Sequence, residues 1–206
     1  MNKVIFVTAT NTNIGKTYAC ENFIKTLSKQ NLKLGYIKPI ETGVKKKPQD
    51  GQKILDIVKK LNKNFKFDID DVVPYQFALA SAVPVANKEN LYIDISLILK
   101  KTKQMLSCCD IVIVEGAGGL MSPVTYDYFM CDLILDFQNF FDDFEARLIT
   151  PSYLGCINDT LLSLDILQQK KIKHKWYINL YKSKDEFEVV TKPFYKRYFK
   201  EPLNYI

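Results

Sequence analysis

A loop with the chemistry of a phosphate-binding site lies near the start of the sequence. The apolar run Val4–Thr8 leads into residues 9–17, ATNTNIGKT, and a helix-forming segment follows. The end of this loop fits the phosphate-loop pattern GxxxxGK[ST], although Thr10 stands at the position of the first glycine. In such a loop, backbone N–H groups and the helix N-terminus bind phosphate oxygens. Lys16 would then reach the β- and γ-phosphates, and the Thr17 hydroxyl would bind Mg²⁺.

Two further charged side chains follow directly after predicted strands. Lys38 precedes Pro39 in YIKPIETG, and proline disfavours helix at the residue before it, so the ammonium stays at the strand end. Glu115 follows the apolar run Ile111–Val114 in VIVEGAGG, where phosphate-loop enzymes hold a Mg²⁺-binding acid. Because ligands bind beyond the carboxyl ends of parallel strands, these groups are candidates for one site.

Each of these residues also has a simple structural interpretation. Thr12 or Asn13 can cap an ordinary helix after the first strand, and Asp50 can cap the helical run that follows it. Lys38 can be a solvated surface lysine. The glycines after Glu115 can form a turn in which the carboxylate has no role.

Strand-like and helix-like runs alternate along the chain, which is typical of βαβ units. Uninterrupted apolar strands indicate a sheet covered on both faces. The sequence therefore predicts an α/β fold, a single three-layer P-loop NTPase-like domain with a mostly parallel sheet and helices on both faces. Residues 62–90 are predicted to be irregular. The predicted strands are Val4–Thr8, Leu34–Ile37, Ile111–Val114, Arg147–Thr150 and Trp176–Leu180, and the predicted helices are Lys16–Gln30, Gly51–Leu61, Ile93–Leu106, Met130–Phe137 and Ile157–Gln169.

Length and composition restrict the function classes. The chain has 206 residues, which suits one domain over residues 1–206, and 47% of them are apolar, which excludes a mainly disordered chain. No apolar run approaches the roughly 18–20 residues that span a bilayer, and the N-terminus lacks the pattern of a secretory signal. The sequence therefore predicts a cytoplasmic protein with no membrane partner.

The charged residues and the cysteines argue against nucleic-acid and zinc binding. The net charge is +6, but only two of the 29 basic residues are arginines, and the lysines form short scattered runs. We therefore expect no nucleic-acid partner, and the positive balance suits an anionic small molecule. The five cysteines have irregular spacings and the chain has one histidine, so we expect reduced, mostly buried thiols and no structural zinc site.

Four motifs, in the order ATNTNIGKT, YIKPIETG, VIVEGAGGLMSPVT and LGCIND, resemble the dethiobiotin synthetase family over about residues 1–180. The resemblance implies an ATP- and Mg²⁺-dependent ligase at the penultimate step of biotin biosynthesis. Its substrates would be 7,8-diaminopelargonic acid (7,8-diaminononanoate), CO₂ and ATP. Dethiobiotin, ADP and phosphate would form through a carbamate and a carbamic–phosphoric anhydride. The resemblance also implies a homodimer with a shared substrate site.

The resemblance assigns roles to residues by their positions in these motifs. Two lysines and Mg²⁺ would neutralise the charge of a carbamate next to a triphosphate. The implied catalytic set is Lys38, Lys16 and Thr12, and the metal-binding set is Thr17, Asp50 and Glu115. The nucleotide-binding set is Asn13, Gly15, Lys16, Thr17, Tyr18, Asp50, Glu115, Gly116, Ala117, Gly118 and Asn179. The substrate-binding set is Thr42, Gly118, Gly155, Cys156, Ile157 and Asn158.

The C-terminal segment departs from the family pattern. The segment of residues 182–206 is basic and aromatic, and it is shorter than is typical. Family members usually continue after the position of Asn179 with a Pro-rich segment that packs on adenine. We expect a packed terminal helix or an interface here. We also hypothesise relaxed selectivity for the nucleotide base, which a steep preference for ATP over GTP and CTP would refute. In the phosphate loop, Ala9 and Asn13 stand where many members have Gly and Glu.

Three other functions are compatible with a phosphate loop. A partitioning or septum-placement ATPase carries a signature lysine four residues before the last loop glycine, where this chain has Asn11. An amide-forming synthetase of the cobyrinate type carries a glutamine amidotransferase domain, for which 206 residues leave no room. A non-enzymatic nucleotide-binding module would not need the full set of catalytic and metal-binding residues.

Overall fold

The structure is a computed structural model that describes residues 2–181 and 184–206. Within these ranges the strands are β1 (Lys3–Ala9), β2 (Leu34–Ile37), β3 (Ile40–Thr42), β4 (Tyr75–Phe77), β5 (Ile111–Glu115), β6 (Asp143–Pro151) and β7 (His174–Asn179). Five of them form one sheet in the order β2-β5-β1-β6-β7, and each neighbouring pair is parallel. The other two, β3 and β4, form a small parallel pair.

Helices connect these strands and cover the main sheet. Every residue of β5 and all of β1 beyond Lys3 are buried. Successive side chains point to opposite faces of a sheet, so this burial requires packed layers on both faces, as predicted. The helices are α1 (Lys16–Ser28), α2 (Gln49–Leu61), α3 (Ile69–Val72), α4 (Val83–Ala86), α5 (Ile95–Met105), α6 (Met130–Phe140), α7 (Cys156–Gln169), α8 (Lys184–Glu186) and α9 (Lys192–Tyr198), with a π-helical turn at Phe187–Thr191.

The central strand β1 determines where a ligand can bind. It pairs with β5 on one side and β6 on the other, so its carboxyl end lies at the crevice that α/β folds use for ligands. Backbone bonds extend both pairings beyond the strands: Thr10 N–H donates to the Ile149 carbonyl at 3.1 Å, and Gly116 N–H donates to the Val7 carbonyl at 2.9 Å. The loops that follow β1, β5 and β6 therefore lie side by side.

The structure confirms the predicted fold class and refines the element boundaries. β2 agrees with the prediction, whereas β6 is nine residues long instead of four. Its first half was missed because Glu145 interrupts the apolar pattern, but this carboxylate is paired with Arg147 at 2.9 Å. The prediction of an irregular segment at 62–90 was wrong in part, because α3, β4 and α4 lie within it. These elements are only three or four residues long, too short for a periodic signal.

The described part of the C-terminal segment, residues 184–206, packs on the edge strand β7. Phe187 and Tyr195 are fully buried, and the Tyr195 ring meets the ring of Trp176 in β7 with centroids 5.4 Å apart. The chain end also bonds to β7: Ile178 N–H donates to the Asn204 carbonyl at 2.9 Å. The segment thus covers an edge that would otherwise expose unpaired backbone groups.

The cysteines agree with the sequence expectation, and the longest described helix, α7, has 14 residues. None of the helices in residues 2–181 and 184–206 has the length and hydropathy to span a membrane. All five cysteines are free thiols, and only Cys108 is more than slightly exposed.

The packing of α6 on the sheet leads to a stability prediction. Phe137 is fully buried, and its ring meets that of Phe6 at 5.3 Å. Phe137→Ala should lower the free energy of unfolding by about 3–5 kcal/mol, because it removes buried area and leaves a cavity. Phe140 lies on the same helix but is 43% exposed, so Phe140→Ala should cost less than about 1 kcal/mol. Urea unfolding measures both, and equal losses would contradict this packing.

Candidate active site

A cavity of about 1150 Å³ opens at the carboxyl ends of the strands. It is lined by the loop after β1, the ends of β2 and β5, the start of α2 and the end of β7. The structure therefore brings most of the candidate site residues together. Those that line the cavity are Thr12, Asn13, Gly15, Lys16, Thr17, Tyr18, Lys38, Thr42, Asp50, Glu115, Gly116, Ala117, Gly118 and Asn179.

The loop after β1 leaves the start of α1 uncapped by side chains. The N-cap residue is Gly15, with a φ of 97°, and it has no side chain that could accept a hydrogen bond from the first turn. The alternative in which Thr12 or Asn13 caps this helix is therefore wrong. Asn179 packs so closely against Gly15 that a Cβ there would lie 2.3 Å from its Nδ2. A glycine at this position allows the positive φ and leaves room for the side chain of Asn179 at the end of β7. The free N–H groups suit an anion.

A cluster of ion pairs and hydrogen bonds joins four of the candidate residues. Lys38 Nζ lies 2.6 Å from Asp50 Oδ2 and 2.9 Å from Glu115 Oε1. Thr17 Oγ1 donates to the same Glu115 oxygen at 2.7 Å. Lys38 is 5% exposed and Glu115 is fully buried, so the interpretation of Lys38 as a solvated surface lysine is wrong. The cluster presents an ammonium, a hydroxyl and two carboxylates at the phosphate loop.

The two lysines of the site differ in their electrostatic surroundings. Burial disfavours the charge of Lys38, but the negative charges of Glu115 and Asp50 outweigh burial and hold its pKa above the usual value. Burial lowers the pKa of Lys16 to about 8, and its Nζ donates to the Asn11 carbonyl at 3.2 Å. A bound anion would favour the charged form of Lys16, so this ammonium is suited to contact phosphate.

Two residues that the sequence reasoning missed hold the carboxylates in place. Tyr36 in β2 donates its hydroxyl to Glu115 Oε2 at 2.8 Å. The Glu41 carboxylate in β3 accepts the backbone N–H groups of Asp50 at 3.2 Å and Gly51 at 3.0 Å, and so caps α2. The N-cap residue of α2 is Pro48, which shows that the interpretation of Asp50 as a helix cap is wrong. Glu41 lies within the quoted motif YIKPIETG, but nothing in the motif indicated its contact.

The glycine-rich loop after β5 lies directly against the phosphate loop. A Cβ on Gly119 would lie 2.6 Å from the Thr10 carbonyl oxygen, so only glycine permits this approach. Ser122 Oγ accepts the Gly119 N–H at 2.8 Å and, with Pro123, lines the cavity. The motif VIVEGAGGLMSPVT contains both residues, which is the signal that could have identified them.

Four predicted substrate-binding residues, Gly155–Asn158, do not line the cavity. The side chain of Cys156 is fully buried, and its Sγ lies 3.6 Å from the Tyr195 hydroxyl. Within its own chain it therefore faces the C-terminal segment. The preceding residues Pro151, Ser152 and Tyr153 line the cavity in their place.

Comparison with known proteins identifies the family. The AAA domain family model matches residues 3–186. The ATP-dependent dethiobiotin synthetase BioD of Sulfurovum sp. (strain NBC37-1) is 43% identical over 95% of this chain and 90% of its own. The chain belongs to the dethiobiotin synthetase family. The corresponding BioD of Methanocaldococcus jannaschii is 33% identical over 82% of this chain and 75% of its own.

Solved structures outside this synthetase family share the fold. The MinD cell division protein of Aquifex aeolicus has a TM-score of 0.53 at 16% identity, covering 94% of this chain and 77% of its own. A putative plasmid partition protein of Borrelia burgdorferi bound to AMPPNP has a TM-score of 0.58 at 15% identity, covering 99% and 86%. At these identities the likeness concerns the fold alone.

The donor set of this dethiobiotin synthetase family member fits Mg²⁺. Thr17, Asp50 and Glu115 offer hard oxygen donors beside the phosphate loop. Among the described residues no group of three or more His, Cys, Asp or Glu forms a metal cage. Mg²⁺ typically binds one or two carboxylates together with substrate phosphates, so an all-protein cage is not needed here.

The buried hydroxyl of Tyr36 leads to a prediction for this site. Burial and the charge of Glu115 raise the pKa of Tyr36 well above its usual value, so the group donates as a neutral hydroxyl. Tyr36→Phe should lower the free energy of unfolding by about 1–3 kcal/mol, because it removes a buried hydrogen bond to a charged group. Tyr126 is 84% exposed, so Tyr126→Phe is the matched control. Thermal unfolding measures both, and identical midpoints would contradict the contact.

Proposed function

We propose that this protein catalyses the ATP-dependent carboxylation and ring closure of 7,8-diaminononanoate with CO₂. The products are dethiobiotin, ADP and phosphate, at the penultimate step of biotin biosynthesis. The observation that carries the proposal is the position of Lys38, whose ammonium lies between Asp50 and Glu115 beside the phosphate loop. Membership of the family supports the overall reaction, and the stepwise mechanism is part of the proposal.

The first step of the proposed reaction forms a carbamate. One amine nitrogen of the substrate attacks the carbon of CO₂ and loses a proton, which leaves a carboxylate on that nitrogen. Thr42, at the end of β3, would hold the diamine or the carbamate. The buried ammonium of Lys38 would stabilise the new negative charge, since electrostatic stabilisation is strongest where water is excluded.

The next two steps use ATP and close the ring. A carbamate oxygen attacks the γ-phosphorus, ADP leaves, and a carbamic–phosphoric anhydride forms. The second amine then attacks the carbonyl carbon and gives up a proton to the departing phosphate, which leaves with the carbamate oxygen. Lys16 and Thr12 would hold the phosphates at the loop, while Lys38 would bridge the carbamate and the transferred phosphoryl group. Phosphoryl transfer depends mainly on such positioning and charge stabilisation.

Thr17, Asp50 and Glu115 are the proposed ligands of Mg²⁺. When bound, the metal would supply positive charge to the phosphate oxygens. The contacts of Tyr36 and Glu41 support this role, because they orient Glu115 and the start of α2 independently of Lys38.

The proposal includes a homodimer in which Gly155–Asn158 of one subunit reach the substrate carboxylate of the other. Support comes from the position of this loop outside the cavity of its own chain. Apolar side chains nearby are also exposed: Leu154 is 71% and Leu162 58% exposed. Sedimentation should show a dimer, and an active monomer would overturn this part of the proposal.

The decisive experiment combines the protein with Mg-ATP and bicarbonate, with and without 7,8-diaminononanoate. Phosphate release should require the diamine, and the product should be heavier than the diamine by one CO₂ minus one water. Release that is independent of the diamine would favour the partitioning-type ATPase, whose fold the chain shares. Nucleotide binding without any turnover would favour the non-enzymatic module.

Lys38→Ala tests the proposed catalytic role. Turnover should fall by about 10²–10³-fold, because an ammonium that stabilises the transferred group is lost. Binding of ATP should be largely retained, since Lys16 and the loop remain. Lys25 lies on α1 with an exposed ammonium paired to Glu21, so Lys25→Ala is the matched control. Calorimetric binding of ATP and phosphate release separate the two effects, and near-normal turnover would rule out the role.

Glu115→Gln tests the metal site. The substitution keeps the shape but removes one carboxylate charge, so about 10–100-fold more Mg²⁺ should be needed for half-maximal phosphate release. Glu21 lies on α1 and pairs with Lys25 and Lys53, and Glu21→Gln should leave the titration unchanged. A thermal unfolding scan checks that the variant is folded. An unchanged Mg²⁺ titration in the folded variant would remove Glu115 from the ligand set.

A further inference from the structure

We propose that Lys45–Lys47 form a basic rim that draws anionic nucleoside triphosphates into the cavity. The rim raises the rate at which the nucleotide associates and makes no contact with it in the bound state. The inference rests on the proposed nucleotide site. It adds three residues that follow the motif YIKPIETG and have no role in the proposed reaction.

The three lysines lie at the entrance of the cavity. They belong to the connection between β3 and α2, and Thr42 before them and Asp50 after them both line the cavity. Val44 N–H donates to the Phe77 carbonyl at 3.0 Å, which ties this connection to β4. Lys46 is four residues from both Thr42 and Asp50, so its Cα lies within about 14 Å of each of theirs. The lysines therefore flank the site without lining it.

The charged groups that line the cavity neutralise one another. Among the described residues they are three lysines and three carboxylates, namely Lys16, Lys38, Lys53, Glu41, Asp50 and Glu115. Lys38 lies between two of these carboxylates, and Lys53 Nζ lies 2.8 Å from Glu21 Oε2. The lining itself therefore exerts little net attraction on an anion that is still outside the cavity.

The three rim lysines are not neutralised in this way. All three residues are exposed, and within residues 2–181 and 184–206 none of them forms an ion pair. Their charges therefore add at one side of the entrance. A nucleoside triphosphate remains anionic with one Mg²⁺ bound, so it is attracted to this side. A cleft that concentrates charge of one sign raises association rates by about 10–10³-fold.

Removal of the rim charges tests the proposal. Stopped-flow fluorescence of the full chain with the Mg²⁺ complex of methylanthraniloyl-ATP gives both rate constants at ionic strengths of about 0.03 M and about 0.5 M. The rim variant combines Lys45→Gln, Lys46→Gln and Lys47→Gln. At the lower ionic strength its association rate constant should fall about tenfold. At the higher one the decrease should be less than about twofold, because salt screens exposed charges. The dissociation rate constant should change by less than about twofold at both, because no contact is lost.

Three exposed lysines at the opposite end of the sheet provide a matched control: Lys29, Lys33 and Lys63. Lys29 lies just beyond the far end of α1, about 20 Å along the helix axis from Lys16. Lys33 precedes β2, whereas Lys38 follows it. Replacing the three control lysines by glutamine removes the same net charge as the rim variant. It should change the association rate constant by less than about twofold.

Three outcomes of these measurements would overturn the rim alone. Equal association of the rim variant and the unsubstituted chain at low ionic strength would show that the lysines attract no nucleotide. An equal decrease in the control would assign the effect to net charge. Faster dissociation, or a decrease that persists at high ionic strength, would show a direct contact or a structural effect.

The proposed reaction and the rim can fail separately. Failure of the diamine assay with these rate constants intact would refute only the proposed reaction. Absence of nucleotide binding in the unsubstituted chain would refute the proposed nucleotide site, and the rim with it.

Discussion

A single buried carboxylate ties the charged site to the core of the protein. Glu115 ends strand β5, which lies next to the central strand β1, and is fully buried. Its oxygens accept hydrogen bonds from Thr17 in α1, Tyr36 in β2 and Lys38 just beyond β2. A buried charge is tolerated only when it is paired and hydrogen-bonded, so these elements cannot shift independently. The same contacts that neutralise the carboxylate therefore set the distance between the phosphate loop and the proposed catalytic lysine.

A second set of backbone contacts completes this arrangement. The approach of Gly119 to the Thr10 carbonyl places the two glycine-containing loops in contact. On the other side, Glu41 caps α2 and places Asp50 within reach of Lys38. Positioning by backbone and buried side chains suits a reaction in which charge stabilisation is the main contribution, because preorganised groups need not reorient during the reaction.

The fold class and the main cluster could be predicted because their signals are local. Lys38 and Glu115 each follow an apolar strand directly, and parallel strands bring such positions to one edge. The contact of Tyr36 with Glu115 could not be predicted, because it joins residues 79 positions apart and a strand tyrosine carries no sign of its partner. The cap from Glu41 joins residues only nine and ten positions apart, but a glutamate in a short strand likewise carries no sign of its partner. The short elements around Tyr75–Phe77 exist through tertiary packing and not through periodicity.

The shared fold explains why function must be argued from strand ends. MinD and a plasmid partition protein have the same architecture at 15–16% identity, so the fold alone does not determine the function. A partitioning-type ATPase is expected to carry a lysine at the position of Asn11, whereas in this chain Lys38, held by two carboxylates, lies beside the phosphate loop. Lys38 directly follows β2 and lines the same cavity as Thr42, where the proposed second substrate would meet the nucleotide. The proposed reaction needs that open approach, because in it the acceptor must reach the γ-phosphate.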